Sequence, residues 1–190
     1  MKLETLCIHA GAQPDPTTNA RALPLYRSAA FVFNSTEHAA NLFALRELGN
    51  IYSRLTNPTQ DALEQRVAAL EGGAAALAFA SGTAAIFNSI INIAKSGDEI
   101  VSASNLYGGT YTMFNDILPQ FGIKVKFVDS NNVNEFESAI NENTKALYCE
   151  TLSNPAGDIA DIEKISAIAH AHGIPLIVDA SGSNLTLGAL

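Results

Sequence analysis

The chain has 190 residues, of which 47% are hydrophobic and 16% are charged, and its formal net charge is -8. An acidic chain without a basic run lacks the positive face that nucleic acids require, so we expect no nucleic-acid partner. No apolar run reaches the ~20 residues of a membrane span, and the first residues resemble no signal peptide. The sequence therefore predicts a cytoplasmic protein without a membrane segment. Cys7 and Cys149 fit no metal-ligand spacing, and we expect reduced thiols.

The first part of the chain, residues 1–57, is predicted to be mostly irregular. Long irregular segments in compact domains are typical of functional or partner-binding regions. Within this part, a helix is predicted from Ser35 to Leu48, with Gly49 as its end. Ser35 or Thr36 can cap it, and its apolar side chains recur at helical spacing.

From Pro58 onward, short apolar runs alternate with helical patterns. The predicted strands are 75–80, 99–103, 124–128, 145–149 and 174–178. Helices are predicted over 58–71, from Ser81-Gly82-Thr83 to about 95, and over 107–118, 133–140 and 162–171. Such alternation implies right-handed crossovers and a mostly parallel sheet flanked by helices, which is an α/β fold.

Ligands of such sheets gather at the carboxyl ends of the strands, so the residues that follow each strand are the candidates for a site. Ser81-Gly82-Thr83 precedes a helix, where free amides and the helix dipole can hold an anion. An ordinary helix cap is the alternative. Tyr107, followed by Gly108 and Gly109, could stack on a flat ring, or it could simply pack on a loop.

Two further strand ends carry polar groups of fixed direction. Pro155 restricts Asn154, whose amide could bind a phenolate or a carboxylate, although a simple turn is equally compatible. Asp179 follows an apolar strand and needs a partner, which could be a protonated ring nitrogen; a cap or a metal ligand is the alternative. One flat, phosphorylated heterocycle would use all four strand ends.

Five ordered motifs resemble the family of pyridoxal-phosphate (PLP)-dependent enzymes of cysteine and methionine metabolism. They are Asn50–Thr59, Ala80–Ala85, Leu106–Tyr111, Glu150–Pro155 and Val178-Asp179. Within the family, Phe33–Phe43 and Leu48–Tyr52 are most similar to the O-acetylhomoserine sulfhydrylase branch. The resemblance implies the large domain of the aspartate aminotransferase-like fold, with an inter-subunit arm over 1–57 and an incomplete PLP-binding domain over 58–190.

The resemblance also implies roles for individual residues. Tyr52 and Arg54 match a pair that reaches across a dimer interface to the cofactor phosphate of the neighbouring subunit. Family members are dimers or tetramers with shared sites, so we expect a homo-oligomer. Ser81, Gly82 and Thr83 match the phosphate-binding segment, although the family often has Met where Thr83 stands.

Three other residues match groups around the cofactor ring and the substrate. Tyr107 matches the ring-stacking tyrosine that assists acid/base steps, which makes it the candidate catalytic residue. Asn154 matches the asparagine near the cofactor phenolate and the substrate carboxylate. Asp179 matches the partner of the pyridinium nitrogen, which makes PLP an electron sink.

The resemblance implies γ-replacement on O-acetyl-L-homoserine, in which sulfide or a thiol displaces acetate to give homocysteine or methionine. After Asp179 the family usually continues to a lysine that attaches PLP covalently, and none of the six lysines here matches it. We therefore expect the 190 residues alone to be inactive. A methionine γ-lyase, a cystathionine γ-synthase or lyase, and a non-catalytic PLP-binding or assembly module are the alternatives. A doubly wound nucleotide binder is disfavoured, because no glycine-rich nucleotide motif is present.

Overall fold

A computed structural model describes residues 2–182, which form two compact units divided in the sequence between Ala78 and Phe79. The first unit contains the helices α1 Leu3–His9, α2 Thr36–Phe43 and α3 Pro58–Glu71. The second contains the helices α4 Gly82–Ile93, α5 Gly108–Thr112, α6 Val133–Ala139 and α7 Ile162–Ala171, and the strands β1 Glu99–Ala103, β2 Lys124–Val128, β3 Thr144–Glu150 and β4 Leu176–Asp179. No helix among the described residues is both long and apolar enough to cross a membrane.

The four strands of the described range form one parallel sheet in the order β2-β1-β3-β4. The prediction of an α/β fold with a mostly parallel sheet is thus confirmed. After β1 the chain moves to one side to form β2, and then returns to the other side to form β3. The carboxyl ends of β1 and β3 therefore flank the point where the connections diverge, which is where open α/β sheets bind ligands.

The core of the second unit lies around the two central strands. Every residue of β1 is buried, and Leu147, Tyr148 and Cys149 of β3 are at most 1% exposed. The rings of Phe114 and Tyr148 meet edge to face with their centroids 4.8 Å apart. Central strands buried in this way are typical of parallel sheets covered by helices, and they hold the strand ends rigidly.

Helix α3 begins and ends where the sequence predicts. The Asn57 side chain accepts a hydrogen bond from the Thr59 amide, Pro58 occupies the first turn, and Gly72 ends the helix at φ +66°. Each of these signals acts through neighbouring backbone groups, so local sequence is sufficient to place the helix.

Helix α1, in the segment predicted to be irregular, packs on α3. Arg66 Nε donates a hydrogen bond to the Ala10 carbonyl at 2.8 Å. At Gly11, where φ is +68°, an added Cβ would lie 2.3 Å from the Ala62 carbonyl oxygen. Only glycine fits this close approach of the chain after α1 to α3.

The prediction of a strand over 75–80 is wrong. The segment is not part of the sheet among the described residues, and the amide of Ala78 donates instead to Glu64 Oε1 at 2.7 Å. An apolar run becomes a strand only when a neighbouring strand pairs with its backbone groups. Here the amide of Ala78 is paired instead with the side chain of Glu64 on α3.

The predicted helix from Ser35 to Leu48 is correct at its start but too long. Ser35 Oγ accepts the His38 amide, as a cap should, but α2 ends at Phe43. Leu45 has φ +55°, which ends the helical path, and Leu45 and Leu48 are 84% and 96% exposed. Only Leu42 of the leucine series is buried, so the other two give the helix no packing to continue.

The prediction of a helical segment over 107–118 is confirmed, but the segment is not a single α-helix. Its α-helical part is the short α5, followed by a π-helical turn Met113–Ile117 and a 3-10 turn Leu118–Phe121. Pro119 has no amide hydrogen to continue an α-helix, and Gly122 closes the segment at φ +75°.

The predicted division into an inter-subunit arm over 1–57 and a cofactor-binding domain over 58–190 concerns an assembly of several chains and stays a prediction. The last residues of that domain, 183–190, lie outside the described range. Both cysteines are free thiols, Cys7 exposed and Cys149 buried.

Candidate functional site

A cavity of about 270 Å³ lies in the second unit, at the carboxyl ends of the strands. It brings together five of the predicted site residues, which are Gly82, Thr83, Tyr107, Asn154 and Asp179. These residues come from the start of α4, from the segments that follow β1 and β3, and from the last position of β4. The four predicted strand-end groups therefore line a single cavity, as one shared ligand would require.

The amino end of α4 forms one wall of this cavity. Ser81 caps the helix, because its Oγ accepts the amide of Ala84 at 3.1 Å. The first amides of an α-helix have no partner within the helix, and together with the helix dipole they favour a bound anion. A Cβ added at Gly82 would contact only Ser181 Oγ, at 3.4 Å, so the approach to these amides is open. This wall is suited to a phosphate group.

Tyr107 stands between β1 and α5 with 52% of its surface exposed. An added Cβ at Gly109 would lie only 2.6 Å from its Cε1 atom, so the ring rests against the backbone of Gly109. The backbone amide of Tyr107 donates a hydrogen bond to Glu150 Oε1 at 2.8 Å. The backbone of Tyr107 is thus fixed by Glu150, and one edge of the ring packs on Gly109. The rest of the ring is exposed and free to stack on a ligand.

Asp179, the last residue of β4, has both carboxylate oxygens engaged. Oδ1 accepts the amide of Ser181 at 2.7 Å, and Oδ2 accepts the hydroxyl of Tyr148 at 3.4 Å. Burial and the nearby charges of Asp179 and Glu150 raise the pKa of Tyr148 well above its usual 10, so this hydroxyl remains a donor. Asp179 is therefore a fixed acceptor at the cavity wall.

Asn154 is exposed on the loop that follows β3. This loop is closed by a bridge between Leu152 and Ile159 and by the amide of Ser153, which donates to the Asp158 carbonyl at 2.9 Å. Asn154 precedes Pro155 through a cis peptide bond. The closed loop places the amide side chain at the cavity.

Glu150 is a cavity residue that the sequence reasoning missed. It lies in the motif Glu150–Pro155, but as a strand residue of a buried sheet it carries no signal of its own. The structure shows a carboxyl group that is 7% exposed and that accepts the amide of Tyr107 at 2.8 Å. Burial raises its pKa above the usual 4.5, the hydrogen bond from Tyr107 opposes this, and the charge of Asp179 adds to the rise.

Tyr52 and Arg54 lie in the first unit, so nothing in the structure relates them to this cavity. The Arg54 guanidinium stands 5.1 Å from the centre of the Tyr52 ring, a cation–π distance. Asn57 holds the segment, because its Nδ2 donates to the Tyr26 carbonyl and to Ser53 Oγ, each at 2.9 Å. Tyr52 and Arg54 therefore lie side by side. Their role across a subunit interface stays a prediction.

No group of three or more His, Cys, Asp or Glu side chains suited to a metal ion occurs in residues 2–182. The polar groups of the cavity instead suit an organic anion, with amides at one wall and a carboxylate at another.

Comparison with known families gives one match over nearly the whole chain. The family model described as "Cys/Met metabolism PLP-dependent enzyme" matches residues 4–185. That range includes every predicted site residue.

Individual relatives point to the same family. A sulfhydrylase of Fusarium oxysporum f. sp. lycopersici is 54% identical over 93% of this chain, and the O-acetyl-L-homoserine sulfhydrylase of Leptospira meyeri is 53% identical over 94%. The chain spans about 40% of the length of these curated relatives.

A solved structure is similar in fold as well as in sequence. It is a Campylobacter jejuni protein provisionally named O-acetylhomoserine (thiol)-lyase, which carries N′-pyridoxyl-lysine-5′-monophosphate. It matches with a TM-score of 0.91 and 45% identity over 95% of this chain and 44% of its own.

Proposed function

Because the chain belongs to the Cys/Met metabolism PLP-dependent enzyme family, we propose that the whole protein is an O-acetylhomoserine sulfhydrylase. It binds PLP and replaces the acetate of O-acetyl-L-homoserine with sulfide or a thiol, giving homocysteine or methionine. The relatives named above as sulfhydrylases support this choice within the family.

The observation that carries the proposal is the single cavity lined by the predicted strand-end groups. The groups fit PLP in chemistry, because the cavity combines amides for a phosphate, an aromatic face and a fixed carboxylate. Its volume of about 270 Å³ is close to the lower limit of ~300 Å³ for small-molecule sites.

Each wall has a distinct task in the proposed site. The amides of Gly82 and Thr83 and the hydroxyl of Ser81 bind the phosphate. The carboxylate of Asp179 accepts a hydrogen bond from the protonated ring nitrogen and so keeps the proton on that atom. When bound, PLP supplies an electron-withdrawing ring that stabilises negative charge on the substrate carbons.

The remaining two residues act on the ring face and the substrate. The phenol of Tyr107 packs on the ring and can exchange a proton near the leaving group. The amide of Asn154 donates to the phenolate oxygen of the cofactor or to the substrate carboxylate. Tyr52 and Arg54 supply phosphate contacts to a second copy of the chain in a homo-oligomer.

The first test is binding of PLP to the purified 190-residue chain. We expect saturable binding in the visible spectrum, weakened in Asp179→Ala and unchanged in the exposed control Asp116→Ala. Borohydride treatment followed by intact-mass measurement distinguishes covalent from non-covalent binding. Equal binding by all three proteins would remove Asp179 from the site.

The second test concerns the reaction itself. A protein that combines these residues with the remaining length of the curated relatives is assayed for homocysteine formation from O-acetyl-L-homoserine and sulfide, in parallel with the 190-residue chain. We expect turnover by the longer protein and none by the 190 residues alone. Release of methanethiol from methionine without homocysteine synthesis would instead identify a methionine γ-lyase.

A further inference from the structure

Glu150 is a buried carboxyl group at the cavity to which the roles above assign no task. It is the last residue of β3 and 7% exposed. Burying a carboxyl group is unfavourable unless hydrogen bonds compensate for the lost hydration. The partners of Glu150 are therefore informative about why the group is there.

Its hydrogen-bond partner is the backbone amide of another cavity residue. Oε1 accepts the amide of Tyr107 at 2.8 Å. Tyr107 belongs to the loop after β1, whereas Glu150 is the last residue of β3, directly before the loop that carries Asn154. The side chain thus ties the backbone of Tyr107 to the end of the neighbouring strand.

A second contact joins the loop after β1 to the loop after β3. The Asn105 side chain donates a hydrogen bond to Asp158 Oδ2 at 2.5 Å. The backbone amide of Asp158 in turn donates to Ser153 Oγ at 2.9 Å. The loop after β1 is therefore tied at two places, and the tie at the cavity itself is made by Glu150.

The charged surroundings explain why the tie depends on an amide donor. Glu150 and Asp179 are register partners on the neighbouring strands β3 and β4 and lie on the same face of the sheet. The other titratable groups nearby are Tyr148 and Cys149 of β3 itself and Tyr107 at the start of α5. No cation is recorded against Glu150 within residues 2–182. Hydrogen bonds to a charged acceptor are about twice as strong as neutral ones, so the amide of Tyr107 is its main stabilisation.

We propose that Glu150 is a positioning residue, whose carboxylate fixes the backbone of Tyr107 and thereby the placement of its side chain at the cavity. Its consequence for PLP binding rests on the proposed function. Glutamine at this position keeps a carbonyl acceptor but removes the charge, and neutral hydrogen bonds are about half as strong as charged ones.

The test compares the 15N-labelled chain with Glu150→Gln and with the control Glu163→Gln, an exposed residue of α7. NMR follows the amide signal of Tyr107 across pH. In the wild-type chain and in the control, we expect this amide to report the titration of the carboxyl group that accepts its hydrogen bond. In Glu150→Gln we expect that titration to vanish and the amide to exchange faster with solvent. Far-UV circular dichroism verifies that the variants are folded.

The second measurement is the PLP affinity of the same three proteins. We expect an approximately tenfold loss in Glu150→Gln and none in Glu163→Gln. A Tyr107 amide that titrates identically in all three proteins, or an unchanged PLP affinity after its hydrogen bond is weakened, would overturn the proposal. If the wild-type chain binds no PLP, the proposed cofactor site fails, and the amide signal still decides whether Glu150 holds the backbone of Tyr107.

Discussion

At the scale of single residues, the placement of Tyr107 depends on one neighbour that has no side chain. The ring edge lies so close to Gly109 that any larger residue would collide with it, whereas an added Cβ at Gly108 would meet nothing within 4 Å. The two adjacent glycines of α5 are therefore chemically alike but structurally different, which provides a matched pair of variants.

We expect Gly109→Ala to displace the Tyr107 ring and to weaken PLP binding by up to about tenfold, because stacking contributes roughly 0.5–1.5 kcal/mol. Gly108→Ala should leave the affinity unchanged, although both substitutions alter the same helix. Spectroscopic titration with PLP measures both constants. Equal affinities of the two variants would show that the ring position is irrelevant to binding.

Arg54 allows a similar comparison for the first unit. If its guanidinium binds the phosphate of a cofactor in a second copy, Arg54→Ala should lose about 1.5–3 kcal/mol of PLP binding energy. Pyridoxal, which lacks the phosphate, should bind the variant and the wild type equally. Arg46→Ala, another exposed arginine of that unit, is the control. The experiment is made on oligomer isolated by size-exclusion chromatography, and an equal loss for pyridoxal would exclude a phosphate contact.

At the scale of elements, the packing of α1 on α3 depends on Gly11. Both Gly11 and Gly72 have positive φ, at +68° and +66°, so a replacement by alanine strains the backbone equally at the two positions. They differ in their surroundings, because a Cβ at Gly11 would meet the backbone of α3 while one at Gly72 would meet nothing within 4 Å.

We therefore expect Gly11→Ala to lower the free energy of unfolding by about 1–3 kcal/mol more than Gly72→Ala does, the usual range for overpacking. Urea unfolding followed by circular dichroism measures both values. The difference between the variants isolates the contact between α1 and α3, since the backbone strain is common to both. No difference would mean that α1 moves away from α3 without cost.

The elements also show which features a sequence can predict. Asn57, Pro58 and Gly72 place the ends of α3 because they act on neighbouring backbone groups. The strand expected over 75–80 was wrong because strand formation needs a distant partner, which no periodicity reveals. The leucine spacing that suggested a longer α2 was misleading, because two of the three leucines are exposed.

The same distinction between local signals and contacts with distant parts of the chain applies to the candidate site. Gly82, Tyr107, Asn154 and Asp179 could be selected because each follows a predicted strand, and the structure brings them to one cavity. Glu150 could not be selected, since its importance lies in an amide supplied by the loop after another strand, β1. A role that depends on which group accepts a backbone hydrogen bond can be recognised only when the pairing of the strands is known.

At the scale of the whole molecule, Glu150 makes the stability of the chain depend on pH. Burial raises its pKa in the folded state above the usual 4.5, so the folded chain holds this proton more tightly than the unfolded chain does. Its stabilising contribution is therefore fully present below pH 4.5 and is lost as the pH rises through the folded-state pKa.

We expect this decline to be absent from Glu150→Gln, whose side chain does not titrate. The measurement is the free energy of urea unfolding of both proteins at a series of pH values from 4 upward. The difference, wild type minus variant, should decrease with rising pH and then level off. A difference that stays constant over this range would contradict the pKa shift.

The all-parallel sheet also determines when the cavity comes into existence during folding. No strand pair of the described sheet is a hairpin: Ile100 pairs with Ala146, and Leu147 pairs with Leu176. Each pairing closes a long loop, so the chain loses conformational entropy before the contacts between the strands form. This slows folding. Tyr107 and Glu150 can meet only after β1 and β3 have joined, and Asp179 reaches them only when β4 docks. The binding site therefore forms late in folding. A chain in which β4 has not yet docked contains all of the site residues but has no cavity that could bind a ligand.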